Sequence, residues 1–158
     1  MSFQKTLNRD LPVAVEGDFA STNPYHSVLA GEGNLKAGPD GVTIGRFAWA
    51  DPVTGLVGNA TVANGVIGFV RRDNTALLTK YLAESTMLIP AGFGVTLYDG
   101  GDFWGRFAAP ATIGQKVFAS DTDGTLLASS SATKAGHTDT GFVVGSNAAA
   151  TELAKITK

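Results

Sequence analysis

The 158-residue chain contains no cysteine. That excludes a disulfide framework, cysteine-ligated zinc, iron–sulfur clusters and thiol nucleophiles. It has only two histidines, His26 and His137, which removes most catalytic triads and multi-histidine metal sites. Charge is also scarce. Asp, Glu, Lys and Arg make up 16% of the chain, 12 basic against 14 acidic, for a net charge of −2. A typical domain carries about 25%. There is no basic footprint for nucleic acid or an anionic membrane, so neither is expected as a partner. No apolar run approaches the roughly 18 residues of a membrane span, and Met1–Asp10 has no signal-peptide core. The expectation is a soluble chain made in the cytoplasm.

What is present points to a class. The length suits one domain with an arm attached. Hydrophobic residues reach 44% and the 20 glycines are many for the length. So few charges leave a bland surface for a free monomer, which suits a protein that assembles or packs against something larger. Pro39-Asp40-Gly41, Asn64-Gly65, Asp99-Gly100-Gly101 and Asp123-Gly124 read as turns, because Gly, Asn and Asp tolerate positive φ. Asn64-Gly65 is the strongest hairpin signal of the four. Between the turns lie short segments rich in Val, Ile, Phe, Thr and Trp. Strands are expected near Val42–Ala50, Val66–Arg72, Val95–Tyr98, Asp102–Ala108, Gln115–Ala119, Thr125–Ala128, Gly141–Ser146 and Glu152–Thr157. The pattern predicts an all-β fold, a sandwich or barrel of short antiparallel strands.

Residue parity adds detail. Val42 and Ile44 fall on one face of their strand and Phe47 and Trp49 on the other; a bulge at Gly45 would return all four to one side. Val66–Val70 is apolar on both faces, as in a central strand or one that meets a neighbouring subunit. Phe103 and Phe107 share a face, opposite Asp102, Trp104 and Arg106. Either the Arg106 stem covers Trp104, or the pair forms a protein contact, since Trp and Arg are enriched at hot spots. Gly-Arg-Phe-Ala occurs at Gly45–Ala48 and again at Gly105–Ala108, which is an echo or a coincidence.

Residues 1–40 differ from residues 41–158, the expected β domain. Phe3, Leu7, Leu11, Val13, Val15, Phe19 and Tyr25 recur without a sustained period, and Pro12 and Pro24 break the segment. It is too apolar for a solvated tail, and reads as an extended N-terminal arm laid over its own domain or a neighbour. Phe3, Leu7, Leu11 and Phe19 are its candidate contacts. Asn74 could cap a short helix carrying Leu77, Leu78, Tyr81 and Leu82 ahead of Pro90, with an extended excursion as the alternative. Ser129–Thr140 reads as an exposed, mobile loop because of its serines and threonines.

The groups that could carry chemistry are sparse. His137 sits in that loop, and His26, in Asn-Pro-Tyr-His-Ser, suits a structural hydrogen bond. Asp121-Thr-Asp-Gly-Thr resembles the start of a calcium loop, but position 132, where the closing Glu would fall, is Ala132. Asp99 and Asp102 fit the shoulders of a tight turn better than an acid–base pair. Gly92-Phe-Gly94 lacks the rest of a phosphate loop. Arg71-Arg72 is a lone basic pair at a strand end or an anionic partner surface. No catalytic residue, cofactor site or metal site is predicted, and the chain is read as a non-enzyme.

Several phrases carry a family likeness. They are Pro12-Val-Ala-Val-Glu-Gly-Asp-Phe-Ala-Ser-Thr-Asn-Pro-Tyr, Ser27-Val-Leu-Ala-Gly-Glu-Gly and Gly41-Val-Thr-Ile-Gly-Arg-Phe-Ala-Trp, followed by Ile89-Pro-Ala-Gly, Val95-Thr-Leu-Tyr-Asp-Gly-Gly-Asp-Phe-Trp and Ala111-Thr-Ile-Gly-Gln-Lys-Val-Phe-Ala. Together they resemble the structural cement, or capsid decoration, proteins of tailed bacteriophages over most of the chain. The resemblance implies a jelly-roll-like β domain on the outside of the virion. It would be synthesised in the host bacterial cytoplasm. It would bind the major capsid protein as a homo-oligomer, dimer or trimer, bridging capsomers and holding the shell against internal DNA pressure. Arg71, Arg72, Trp104 and Arg106 join the arm residues as candidate capsid or oligomer contacts. The alternative is a carbohydrate- or ligand-binding β-sandwich, with Trp49, Trp104 and Tyr98 as a stacking platform and the Asp99–Asp102 turn as its polar rim.

Overall fold

The computed structural model describes residues 14–73 and 86–158. Phe3, Leu7, Leu11 and the helix-or-excursion segment after Asn74 lie outside the described residues. Within them the regular structure is all β. The strands are β1 (His26–Ser27), β2 (Lys36–Ala37), β3 (Val42–Thr43), β4 (Phe47–Ala50), β5 (Leu56–Gly58), β6 (Val66–Val70), β7 (Leu88–Ile89), β8 (Leu97–Gly100), β9 (Asp102–Arg106), β10 (Lys116–Ser120), β11 (Leu126–Ser129), β12 (His137–Val144) and β13 (Leu153–Thr157). They form a six-stranded sheet, β1-β8-β6-β4-β5-β2, a five-stranded sheet, β11-β10-β12-β13-β9, and the pair β3-β7. Strand pairing is antiparallel except for β2 with β5.

The six-stranded sheet closes on itself. Lys36 bridges Gly94, and Ala37 N–H donates to the Phe93 carbonyl and Val95 N–H to the Leu35 carbonyl at 2.8 and 3.0 Å. The free edge of β2 therefore joins the segment leading into β8, which removes an exposed edge. An aliphatic cluster fills the ring, with Val42, Ile44, Ala48, Val57 and Leu97 almost wholly enclosed. The ring is narrow. A Cβ on Gly68 would lie 2.7 Å from the Leu97 Cβ, so only glycine fits there. The Gly45 N–H donates to the Val70 carbonyl at 2.8 Å, which sets the β3–β7 pair beside the C-terminal end of β6.

The second cluster lies between the ring and the five-stranded sheet. Phe47, Trp49 and Phe69 reach it from the ring, and Phe103, Phe107, Phe142 and Ile156 from the other sheet. Strand β4 is buried on both faces because it serves both clusters: Phe47 and Trp49 in one, Ala48 and Ala50 in the other. Aromatic rings pack edge-on and tilted across the seam, Phe69 to Phe103 at 4.9 Å and Phe47 to Phe142 at 5.5 Å between centroids.

Three local expectations are corrected. Gly45 (φ 77°) does not bulge a single strand. It turns the chain from β3 to β4, leaving Val42 and Ile44 in one cluster and Phe47 and Trp49 in the other. Asn64-Gly65 does adopt a positive φ at Asn64 (58°), but it closes no hairpin. The strands on either side, β5 and β6, both pair with β4, which lies between them. The serine- and threonine-rich loop ends early, because β12 begins at His137. Thr138 donates to Asp121 Oδ1 at 2.7 Å and Thr140 to the Val117 carbonyl at 2.7 Å, so threonine works there as a strand former with a satisfied hydroxyl.

The described part of the leading segment is woven into both sheets. Gly17 N–H donates to the Trp104 carbonyl, Trp104 N–H to Asp18 and Ala20 N–H to Asp102, each at 2.8 Å, which extends the five-stranded sheet beyond β9. Strands β1 and β2 belong to the six-stranded sheet. Among the described residues no helix is long and apolar enough to cross a membrane.

Candidate interaction surface

Strand alternation sends Trp104 and Arg106 to the outward face of the five-stranded sheet while Phe103 and Phe107 enter the core. In register, Lys155 of β13 stands opposite Trp104 and Leu153 opposite Arg106. The Lys155 ammonium lies 5.3 Å from the centre of the indole. Lys155 therefore covers Trp104 from across the sheet. Arg106 is drawn elsewhere: its Nε donates to Glu16 Oε2 at 2.8 Å and its Nη1 to the Thr151 carbonyl at 2.5 Å. A further pair on this sheet, Lys116 Nζ with Asp139 Oδ2 at 2.7 Å, holds the Asp139 carboxyl below its ordinary range, helped by the Gly141 N–H.

Phe19 and Arg71 come together. Phe19 bridges Phe103 in the backbone and stacks on its ring at 5.4 Å, and the Arg71 guanidinium lies over Phe19 at 4.6 Å. Phe19 is thus held by its own domain, with Tyr25 and Tyr98 packed around it. Arg72 points away from this group. Its backbone N–H donates to the Gly17 carbonyl and its Nη1 to the Met87 sulfur.

The two histidines and the carboxylates of the turns each have partners within the domain. His26 Nδ1 pairs with Asp99. Asp102 accepts from Ser21 Oγ at 2.5 Å and Asn23 Nδ2 at 2.7 Å. The Ser21 hydroxyl, then those of Thr157 and the Asn23 amide, keep the Asp102 carboxyl below its usual range. Asp99 and Asp102 thus engage separate partners. In the Asp121–Thr125 turn, Asp121 accepts from Thr138 and Asp123 from Thr125 and Arg46. Burial pushes the Asp123 carboxyl up, yet those donors and Ser120 outweigh it and leave it lowered. His137 Nδ1 lies 3.0 Å from the Ala135 carbonyl. Among the described residues no group of three or more His, Asp or Glu side chains could hold a metal ion. The stacking platform fails at Trp49, which is 2% exposed in the aromatic cluster. Its place on the doubly buried β4 leaves no face for a sugar.

A second surface was not singled out by sequence. Leu29 is 93% and Val53 89% exposed, and both line one hollow of about 480 Å³. It opens at the end of the ring where β4 stops and β5, β6 and β2 begin, as its lining residues Asp51, Gly55, Val66 and Leu35 record. Both lips are built. The loop carrying Leu29 is tied at its ends, Val28 N–H to the Leu97 carbonyl and Val95 N–H to the Leu35 carbonyl. Val53 is thrust outward by a turn in which Asp51 Oδ1 accepts the Val53 N–H and Oδ2 the Thr54 hydroxyl, both at 2.8 Å. The available signal was an apolar residue at the tip of each turn, in Leu29-Ala-Gly-Glu-Gly and Asp51-Pro-Val-Thr-Gly, where no core needs it.

A family model described as XM1 gp53 minor capsid protein matches residues 3–158. Among solved structures, a chain from the capsid of Myoviridae phage XM1 aligns with a TM-score of 0.62 at 16% identity, covering 99% of this chain and 97% of that one. At that identity the likeness speaks for the fold. No curated protein matches.

Proposed function

The chain belongs to the XM1 gp53 minor capsid protein family, and from that membership we propose that it is a cement for a phage head. The coarse part of the reading is a structural role in the virion, in association with the capsid shell. The finer part is ours. The protein sits on the outer surface of the shell, binds the major capsid protein, bridges neighbouring capsomers and works as a homo-oligomer, dimer or trimer. The carrying observation is the family match across nearly the whole chain. The sparse charge supports it, and so do the exposed apolar side chains at one end of the ring.

Such a clamp acts by linkage. A protein that binds assembled shell better than free subunits stabilises the shell by mass action. Joining several modest interfaces in one oligomer raises effective concentration without any new kind of contact. Residues Phe3, Leu7 and Leu11 remain proposed contacts, as do Phe19, Arg71, Arg72, Trp104 and Arg106. A truncation testing the leading segment should stop at residue 13, since Gly17, Asp18 and Ala20 bond to β9. The central test adds purified protein to shells assembled from the major capsid protein alone. Saturable co-sedimentation and a higher shell melting temperature are expected. Failure to co-sediment would overturn the reading.

A further inference from the structure

Leu29 and Val53 are the two most exposed large apolar side chains of the described residues, and they frame the same hollow. Val66, 45% exposed, continues the apolar surface inward, and Leu35 at the floor belongs to the packed ring interior. Nothing can enter deeply, because the ring below is filled. A partner's side chains would therefore lie across the rim and not enter the ring. Its charge has one sign. The charged residues lining it are Glu32 and Asp51, and the adjoining hollow on the other side of the Leu29 loop is lined by none. Asp51 accepts hydrogen bonds from its own turn, which leaves Glu32 as the carboxylate on the other lip of the hollow.

We propose that this end of the ring is the surface that docks on the capsid shell, gripping a segment of the shell protein that presents an apolar side chain next to a lysine or arginine. The inference rests on the capsid-cement reading above and adds which face is used. Complementarity argues for that occupant. A second copy meeting this face about a two-fold axis would set Glu32 and Asp51 against their own counterparts, and like charges at an interface oppose association. The lips cost little to bring to a partner, because hydrogen bonds already fix the Val53 turn and both ends of the Leu29 loop.

The test uses the full chain and shells assembled without it. The double substitution Leu29→Asp, Val53→Asp alters only side chains that already face water, so the melting temperature should match that of the unaltered protein. Shell affinity should fall roughly tenfold or more, as when central apolar anchors are lost. Glu32→Lys should weaken binding by a smaller factor, and that loss should shrink as salt rises. The oligomeric state, read by sedimentation in the same samples, should not change. If the unaltered protein binds shells and the double variant binds within twofold of it, this docking face is wrong while the cement reading survives. If the double variant loses self-association instead, the hollow belongs to a second copy and the proposal fails. If the unaltered protein ignores shells, both readings fall together.

Discussion

Among the described residues, the cluster between the two sheets buries six Phe and Trp side chains, whereas the cluster inside the ring buries none. Geometry explains the contrast. Two sheets packed face to face stand about 10 Å apart and need large side chains to meet. A ring of so few strands has room only for Ala, Val, Ile and Leu, and at Gly68 for no side chain at all. The outsides differ as well. The five-stranded sheet covers Trp104 with Lys155 and pairs Arg106 with Glu16 and Lys116 with Asp139. The end of the ring leaves Leu29 and Val53 uncovered. The aromatic seam thus holds the domain together, while the ring offers an unfinished apolar surface.

The largest expected effect falls on the seam. Phe103 touches Phe69, Phe19, Tyr98 and Phe142, so Phe103→Ala should cost about 3–5 kcal/mol in denaturant unfolding. A loss below about 1 kcal/mol would mean that the seam does not carry the fold. The ring should respond to the opposite insult. Gly68→Ala adds a methyl against Leu97 and should cost roughly 1–3 kcal/mol, whereas an unchanged midpoint would mean that the ring is wider than described. On the outer face, Trp104→Ala should leave folding nearly intact yet weaken oligomer or shell association by about 2 kcal/mol, as loss of an interface anchor does. Titration calorimetry returning the same affinity would place the contact elsewhere.

The smallest effect is one of pH. Asp102 has its carboxyl held below the unfolded value by Ser21, Thr157 and Asn23. A depressed native pKa contributes stability that is complete above the unfolded value and lost as pH falls through the native one. Unfolding free energy should therefore decline below about pH 4, and Asp102→Asn should flatten that decline without changing its slope near neutrality. An identical acid limb in the variant would assign the decline to other carboxylates.

The strands β6, β9, β10 and β13 fall where the pattern puts them because each runs five residues, long enough for a pattern to show; β4 is the C-terminal part of the strand expected over Val42–Ala50, which Gly45 divides. Strands β1, β2, β5 and β7 were not legible, having only two or three residues each. A period of two cannot be read from two residues, and their pairing is set by partners far along the chain. Closure of the ring through Lys36 and Gly94 is a tertiary event that leaves no local trace. Asn64-Gly65 misled for the same reason: positive φ belongs to the residue, whereas pairing belongs to the sheet. Trp104 was placed correctly on an outward face, but its lysine cover comes from 51 positions away in the chain. Leu29 and Val53 went unnoticed because an apolar residue in a turn is informative only once it is known not to fold inward.

The most direct test of the account is cryo-electron microscopy of the phage particle at side-chain resolution. The account predicts this chain in a regular array on the outer surface of the head, oligomerised, with Leu29 and Val53 against the shell protein. Particles lacking the chain, or holding it only on the inner surface, would contradict it.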